Sequence, residues 1–437
     1  MSMENVTQAK SAIEQTSAYK TLTAFFDNGE FVSVDTLAKS QDTYAEVVAG
    51  YGAVNEVPVY AFAQNSDFCG GAMSKAQAAK LKKIYGLAYK TGCPVVGFYD
   101  SRGGRLDEGN ALLAGYGEVL NAAAEISGVV PQISVVLGSC LGTGALNAAC
   151  ADFVIAAKDS KLSLDTSGSA CDAETNAKNG VVSVVAESAQ EAIEKARDLI
   201  SYLPANNLVE ADAYEELEPE DVENGCYARK LADADSIFRF GTAFGSSAKT
   251  VFARVEGRTV GIINTKGGTL TEADAAKIAK HVRFCDAFSI PVVTFVNADG
   301  FEDIRSAAKV TSAFAEATTA KISVVTGKAV GALYIALAGT GANADAVYAL
   351  DGAVISPVNP EAAALIMAPE SMNVSVEEQK KVAADFARDN LSAEKAAECG
   401  YVDDVIFEEQ LRRTVSDALR MLSGKRVSTL SKKHSTI

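Results

Sequence analysis

The sequence predicts an α/β protein made of two tandem domains of one fold, residues 1–215 and 216–437. Three observations predict it. Helix and strand signals alternate through most of the 437 residues. The apolar runs are short and β-branched, and each is followed by a glycine turn or a helix-like segment, as buried parallel strands with crossover helices require. The third is an internal repeat. Gln132–Gly142 reads QISVVLGSCLG and Lys321–Gly331 reads KISVVTGKAVG, with Ile133, Ser134, Val135, Val136, Gly138 and Gly142 recurring at one constant offset.

Along the chain, PVVGFYD (94–100) is the first strong strand signal and ISVVLG (133–138) the second. Ala151-Asp152 opens a further apolar run. Pro204–Glu223 is acidic and helix-breaking at its ends, and reads as the linker between the copies. A new strand pair opens at Ala253-Arg254-Val255-Glu256-Gly257. Residues 276–288 look helical. VVTFVN (292–297) and ISVVTG (322–327) then repeat the two earlier strands, and Pro291-Val292-Val293 echoes Pro94-Val95-Val96. Ala344-Asp345 and its apolar run echo Ala151-Asp152. From Ser392 onward the pattern is helical and ends in a basic segment, KRVSTLSKKH.

Bulk properties exclude several classes. With 48% hydrophobic and 22% charged residues, the chain has the composition of a packed globular protein. A net charge of −16 and a pI near 4.8 argue against nucleic-acid binding, which needs clustered Lys and Arg. An anionic ligand needs a local basic patch that the total charge cannot reveal. The start, MSMENVTQAKSAIEQ, lacks the apolar run of a secretory signal, and no stretch approaches the ~20 apolar residues of a membrane span. The eight cysteines are scattered without a CxxC pair and read as buried, reduced thiols of a cytoplasmic protein.

The chemistry must do without histidine. Only His281 and His434 exist, too few for a His-centred triad or a multi-His metal site. His281 reads as a surface or interface residue of a helix. There is no phosphate-binding GxxxxGK[ST] loop, and Gly142-Thr143-Gly144 lacks the third glycine of a dinucleotide fingerprint. What the repeat supplies is a strand, a run of small residues, then a helix. This geometry turns backbone N–H groups toward a crevice that a ligand can approach closely. Two such donors make an oxyanion hole, able to hold the enolate of a thioester without any catalytic side chain. The competing reading is that these glycines only let a helix pack close to a sheet. Cys140, inside the first turn and without a histidine near it in sequence, reads as a small packing residue.

Longer segments carry a family resemblance. GYGAVNEVPVYAFAQNSDFCGGAMSKAQAAKLKKIYGLAYKTGCPVVGFYDSRGGRLDEGNALLAGYGEV (51–119) and GVVPQISVVLGSCLGTGAL (128–146) resemble the N-terminal half of the acyl-CoA carboxyltransferases. These are the β subunits of propionyl-CoA carboxylase and the α subunits of glutaconyl- and methylmalonyl-CoA decarboxylases. ARVEGRTVGII (253–263), HVRFCDAFSIPVVTFVNADGF (281–301) and EATTAKISVVTGKAVGALYIAL (316–337) resemble the C-terminal half, and CGYVDDVI (399–406) its end.

The resemblance implies two crotonase-like domains, each a β-β-α superhelix, with the acyl-CoA on the first and biotin on the second. It implies biotin borne by a biotin carboxyl carrier protein, and a biotin carboxylase or membrane decarboxylase subunit as further partner. A homo-oligomer, dimer or trimer of dimers, is implied as well, with no metal in this subunit. The first hole falls on Gly142 and Thr143. The second, for the biotin ureido oxygen, falls on Ala332 and Leu333. Gly103, Gly104, Arg105, Gly138, Gly331 and Ile335 are expected to line the substrates, Ile335 at the acyl-chain position, where an aliphatic residue favours a short alkyl acyl group such as propionyl. The family's DSGGARIQEG segment falls on Asp100–Gly109, where Arg105 and Glu108 match.

This sequence departs from the family at Gly104, which replaces an alanine, and at Thr143, which replaces a glycine. On the biotin side, Ala332-Leu333 replaces Gly-Ala, the DxPGF motif reads Asn297-Ala298-Asp299-Gly300-Phe301, and a loop of about ten residues rich in Gly and His is missing after Phe301. Two other readings stay open. One is a biotin-independent crotonase-type decarboxylase or hydratase with Glu108 as base, Glu108 being otherwise a helix-start carboxylate. The other is a non-catalytic scaffold subunit of a carboxylase complex. The basic tail, Lys425, Arg426, Lys432, Lys433 and His434, is a solvated terminus, or a contact for CoA phosphates or another subunit.

Overall fold

A computed structural model describes residues 3–40, 43–44, 46–165, 171–223, 225–367 and 375–427. They form two compact units: residues 1–212 with 240–243, and residues 213–239 with 244–437.

In unit 1 the strands are β1 (Phe31–Ser33), β2 (Lys39–Ser40), β3 (Thr43–Tyr44), β4 (Val47–Val54), β5 (Val57–Gln64), β6 (Val95–Ser101), β7 (Gln132–Leu141), β8 (Phe153–Ala157), β9 (Lys161–Ser163) and β10 (Val184–Ala186). Its helices are α1 (Met3–Glu14), α2 (Ser17–Phe25), α3 (Lys75–Thr91), α4 (Ala111–Glu125), α5 (Thr143–Ala149), α6 (Ala173–Lys178) and α7 (Ala189–Ile200). The main sheet runs β1-β4-β5-β6-β7-β8-β10, with β9 pairing only the far end of β7. The β4–β5 hairpin is antiparallel, and every later pairing is parallel. Asn55 and Glu56, both left-handed (φ 50° and 68°), make its two-residue turn.

The second copy contains α8 (Tyr227–Leu231), β11 (Ile237–Phe240), β12 (Ala248–Val255), β13 (Arg258–Thr265), β14 (Thr269–Leu270), α9 (Glu272–Ala287), β15 (Val292–Ala298), β16 (Gly300–Phe301), α10 (Ile304–Glu316), β17 (Lys321–Val330), α11 (Ala332–Leu337), β18 (Ala346–Leu350), β19 (Val354–Ser356), α12 (Pro360–Met367), α13 (Val376–Asn390), α14 (Ala393–Glu398), β20 (Asp404–Ile406) and α15 (Leu411–Leu422). Strand order β11-β12-β13-β15-β17-β18-β20, with β19 off β17, reproduces that of unit 1.

The four strands read from sequence fall on β6, β7, β15 and β17. Buried β-branched residues on both faces of these strands explain why they read as continuous apolar runs. The repeated Ala-Asp also has a structural job. Asp152 Oδ2 accepts the Gln132 N–H (2.8 Å) and Asp345 Oδ2 the Lys321 N–H (2.8 Å), so each carboxylate satisfies the first amide of a central strand.

Two expectations need correction. His281 is not a surface residue: it is 3% exposed, packed on Phe252, with its Nε2 3.8 Å from the Cys285 sulfur. Burial pushes its pKa down to about 3. All eight cysteines are free, but Cys69, Cys150 and Cys399 are exposed rather than buried. The stretch read as the linker is irregular and divides between the units: Asn206 and Asn207 donate to Gly92 O and Val129 O of unit 1, and Tyr214, within unit 2, has Arg254 stacked 3.7 Å over its ring. Among the described residues no helix is long and apolar enough to cross a membrane.

Candidate active site

Both units end their two central parallel strands at a glycine turn, where open α/β sheets usually offer a crevice. In unit 1, β7 runs into Gly142, whose left-handed backbone (φ 70°, ψ −146°) hands the chain to α5. The Gly142 N–H donates to the Ser163 carbonyl on β9 (2.9 Å). That amide is therefore spent inside the fold. The next two, Thr143 and Gly144, open α5 and donate to no described residue, as expected of first-turn amides. Of the donor pair expected at Gly142–Thr143, only the Thr143 amide is thus left open. Unit 2 matches: the Gly331 N–H donates to Ser356 O (2.7 Å), and Ala332 and Leu333 carry the open amides.

A second amide comes from the neighbouring strand. After β6 the chain passes Met73, with the Met73 N–H donating to Gly103 O (2.8 Å) and the Arg105 N–H to Met73 O (2.9 Å). In a parallel bridge of this kind the residue between those two bonds, Gly104, turns its own N–H to the opposite side. Gly103 lies close enough to β7 that a Cβ on it would sit 4.0 Å from Leu141 O. Unit 2 builds the same device from the two-residue ladder β14–β16, in which the Glu302 N–H donates to Leu270 O and Phe301 turns outward. Phe301 was not foreseen as a site residue. Its signal is the spacing: Met73/Leu270 and Gly104/Phe301 share the 197-residue offset of Pro94/Pro291.

The predicted lining residues sort into three kinds. Gly138 and Gly327 make room for a side chain rather than a ligand. A Cβ at Gly138 would lie 2.3 Å from Asp100 Oδ1, which accepts the Ser139 N–H (3.0 Å). At Gly327 it would lie 2.4 Å from Asn297 Oδ1, which accepts the Lys328 N–H (3.0 Å). Arg105 is committed internally, with Nη1 on Glu46 Oε1 (3.0 Å) and Nε and Nη2 on the two Asp107 oxygens. Those bonds, Asp107 foremost, raise its pKa further above the ordinary arginine value. Gly331 is left-handed (φ 53°) against Pro357 O, a backbone need of the turn itself.

Ile335 is exposed, and so is Leu146, its counterpart at the 189-residue offset of the glycine turns. Leu333 is wholly buried, so its side chain fills the core of unit 2 and not the approach to the turn, where Ala332 is exposed. Glu108 accepts the Lys75 N–H at the start of α3 (2.6 Å) and is a helix-start carboxylate of that helix. Cys140 is buried, and burial together with the Asp100 charge pushes its thiol up to about 12, far from a thiolate nucleophile. Lys425 pairs with Asp345 (2.8 Å). Lys432, Lys433 and His434 lie outside the described residues. Among the described residues no group of three or more His, Cys, Asp or Glu is arranged to hold a metal ion.

Comparison with known proteins agrees over the whole chain. The carboxyl transferase domain family matches residues 15–437. The putative propionyl-CoA carboxylase beta chain of Bacillus subtilis (strain 168) is 33% identical over 464 residues, covering 95% of this chain and 90% of that protein. The methylmalonyl-CoA decarboxylase subunit alpha of Veillonella parvula is also 33% identical, covering 96% of this chain and 92% of its own. Among solved structures, the transcarboxylase 12S hexamer with hydrolysed methylmalonyl-coenzyme A bound superposes with a TM-score of 0.92 at 29% identity, covering 99% of this chain and 98% of that one.

Proposed function

The chain belongs to the carboxyl transferase domain family, and on that premise we propose that it moves a carboxyl group between biotin and the α-carbon of a short acyl-CoA of the propionyl type. It is an acyl-CoA carboxyltransferase with two tandem crotonase-like domains. Unit 1 handles the thioester and unit 2 the biotin side. The observation that supports this most is the duplication itself: each unit leaves the amide after its glycine turn open, at Thr143 and Ala332, and repeats the bridge at Gly104 and Phe301 on the neighbouring strand.

In unit 1 the two amides receive the thioester oxygen, whose negative charge grows as the α-proton leaves. Donors fixed by the strand ladder need no reorganisation when that charge develops. Biotin, when delivered on its carrier protein, would supply the ureido nitrogen that gives up its carboxyl group to the α-carbon and takes up the α-proton in return. Phe301 and Ala332 would hold the ureido oxygen of that ring, and the exposed methyl of Ala332 leaves the turn accessible. Leu146 beside the turn of unit 1 and Ile335 beside the turn of unit 2 each expose an aliphatic side chain, the kind of surface a short acyl chain favours. With Glu108 engaged at α3, the carrier-free reading loses its candidate base. A carrier, a biotin carboxylase or membrane decarboxylase subunit, and a homo-oligomer in the cytoplasm complete the proposal; the 12S neighbour is itself a hexamer.

The test removes one amide at a time. Thr143 and Ala332 are first helical residues, where proline fits the backbone and removes the N–H, its ring Cδ taking the place of the hydrogen. Thr143→Pro and Ala332→Pro should each lower carboxyl transfer to a biotinylated carrier by about 10²–10³-fold, the usual effect of losing one oxyanion donor. Wild-type protein that binds acyl-CoA but exchanges no carboxyl group with any biotinylated carrier would overturn the assignment.

A further inference from the structure

The loop that presents Gly104 is tied to a buried carboxylate that plays no part in the chemistry above. Glu46, just before β4, is 0% exposed. Its Oε1 receives Arg105 Nη1 (3.0 Å) and its Oε2 the Ser74 hydroxyl (2.5 Å). Its main-chain carbonyl accepts Gln77 Nε2 (2.7 Å) and the Asn65 N–H (2.9 Å). Ser74 is the N-cap of α3, so one residue joins the entry to β4, the exit of β5, the start of α3 and the loop after β6.

Burying a carboxylate costs several kcal/mol unless it is well paired, and an apolar residue of like size usually packs at least as well. Stability alone gives little reason for a charge here. Arg105 gives a better one. Its guanidinium is locked in plane by both oxygens of Asp107 and by Glu46, and its own N–H forms one side of the bridge that turns the Gly104 amide outward. Leu112 packs closely against Gly104 on its other side, where a Cβ would lie 2.3 Å from a Leu112 methyl.

We propose that Glu46 is a positioning residue for carboxyl transfer: through Arg105 it holds the Gly104 N–H in line with the thioester oxygen. The inference rests on the reading of Gly104 as a donor. A fixed donor is worth far more in the transition state than a mobile one, because its orientation is set before charge develops. Among the described residues unit 2 shows no such buried tie: Glu302 stands at the place of Arg105 and is exposed, and the ion pair of that loop, Lys328 with Asp299, is half-exposed.

The experiment uses the full chain with its biotinylated carrier and propionyl-CoA labelled with carbon-13 at the carbonyl. Glu46→Gln keeps the shape and removes the charge. It should lower kcat on the order of ten-fold with KM for propionyl-CoA little changed, the signature of an interaction made in the transition state. The carbonyl stretching band of the bound thioester should move back toward its position in water. Glu46→Asp should recover part of both. Arg105→Lys, which leaves Glu46 paired but loses the planar fork, should give the same kcat loss, and Glu46→Gln added to it should cost little more. It also keeps the test alive if Glu46→Gln fails to fold. A folded Glu46→Gln or Arg105→Lys protein with wild-type kcat and an unshifted carbonyl band overturns the positioning role while the functional reading stands. Absence of transfer in the wild type overturns both.

Discussion

The loops after β6 and β15 occupy the same place in two copies of one fold, yet different forces hold them. In unit 1 the loop is fixed by charge: Arg105 bridges Glu46 and Asp107, and Glu108 holds the first amide of α3. In unit 2 the loop is shorter. Its β14–β16 ladder matches the Met73 bridge of unit 1, and its ion pair, Lys328 with Asp299 (3.3 Å), is half-exposed rather than buried, while Asp303 and Thr271 cap only their own helices. The repeat offset falls from 197 at Pro94/Pro291 to 189 at Gln132/Lys321, so unit 2 joins the two strands with eight fewer residues, four of them taken from this loop (299–303 against 102–110). A backbone ladder tolerates any side chain. An ionic anchor does not, but it can hold a longer loop still.

The largest effect should come from breaking the anchor. Arg105→Ala leaves Glu46 buried and uncompensated, a change that typically costs about 3–5 kcal/mol. Glu302→Ala removes an exposed side chain at the matching position and should stay within about 0.5 kcal/mol. Denaturant unfolding of both variants decides between them. Equal losses would mean that the ion pair does not hold the loop.

Much of this asymmetry was hidden in the sequence. The central strands and the glycine turns were legible because buried β-branched runs and left-handed positions restrict residue choice strongly. Glu46 was not, since a single acidic residue between Ala45 and Val47 belongs to no motif until Arg105, fifty-nine residues later, is seen beside it. Phe301 escaped because its role lies in a main-chain N–H, which leaves no mark on residue type. The unit 1 hairpin escaped for a related reason. Its turn is Asn55–Glu56, and Glu is no signal for a left-handed residue, whereas Glu256-Gly257 in unit 2 announces the same turn. Gly142 reads as a donor in the sequence because only its bond to Ser163, on the adjoining β9, shows that its amide is spent.

The second comparison lies beneath the sheets. On the offset that aligns the N-caps Ser74 and Thr271, His281 of α9 matches Ile84 of α3, and both are buried. The His281 pKa is depressed to about 3, below its unfolded value near 6.5, so the folded state keeps it neutral. The unfolded chain therefore binds the extra proton below pH 6.5, and the stability of unit 2 falls as pH drops from 6.5 toward 3. At pH 4 the loss amounts to about 3 kcal/mol. His281→Ile should abolish that loss while changing little at pH 7, read as the difference between variant and wild-type unfolding at the two pH values. Ile84→His should make unit 1 acid-labile in turn. If His281→Ile leaves the acid sensitivity unchanged, other groups govern it and the two helices are equivalent after all.

The smallest contrast isolates charge most cleanly. Gly138→Ala and Gly327→Ala drive a methyl into the same spot, 2.3 Å from Asp100 Oδ1 in one unit and 2.4 Å from Asn297 Oδ1 in the other. Each oxygen accepts one main-chain N–H at 3.0 Å, so the bond geometry is matched and only the charge differs. Displacing the carboxylate forfeits a charge-assisted hydrogen bond of about 1.5–3 kcal/mol, and displacing the amide a neutral one of about 0.5–1.5 kcal/mol. Gly138→Ala should therefore destabilise more than Gly327→Ala by roughly 1 kcal/mol. Asp100→Asn converts the first site into the second, and in that background the cost of Gly138→Ala should fall to that of Gly327→Ala. A cost that stays high there would locate the penalty in crowding of β7 rather than in the lost charge, and charge would then distinguish the two loops only at Glu46.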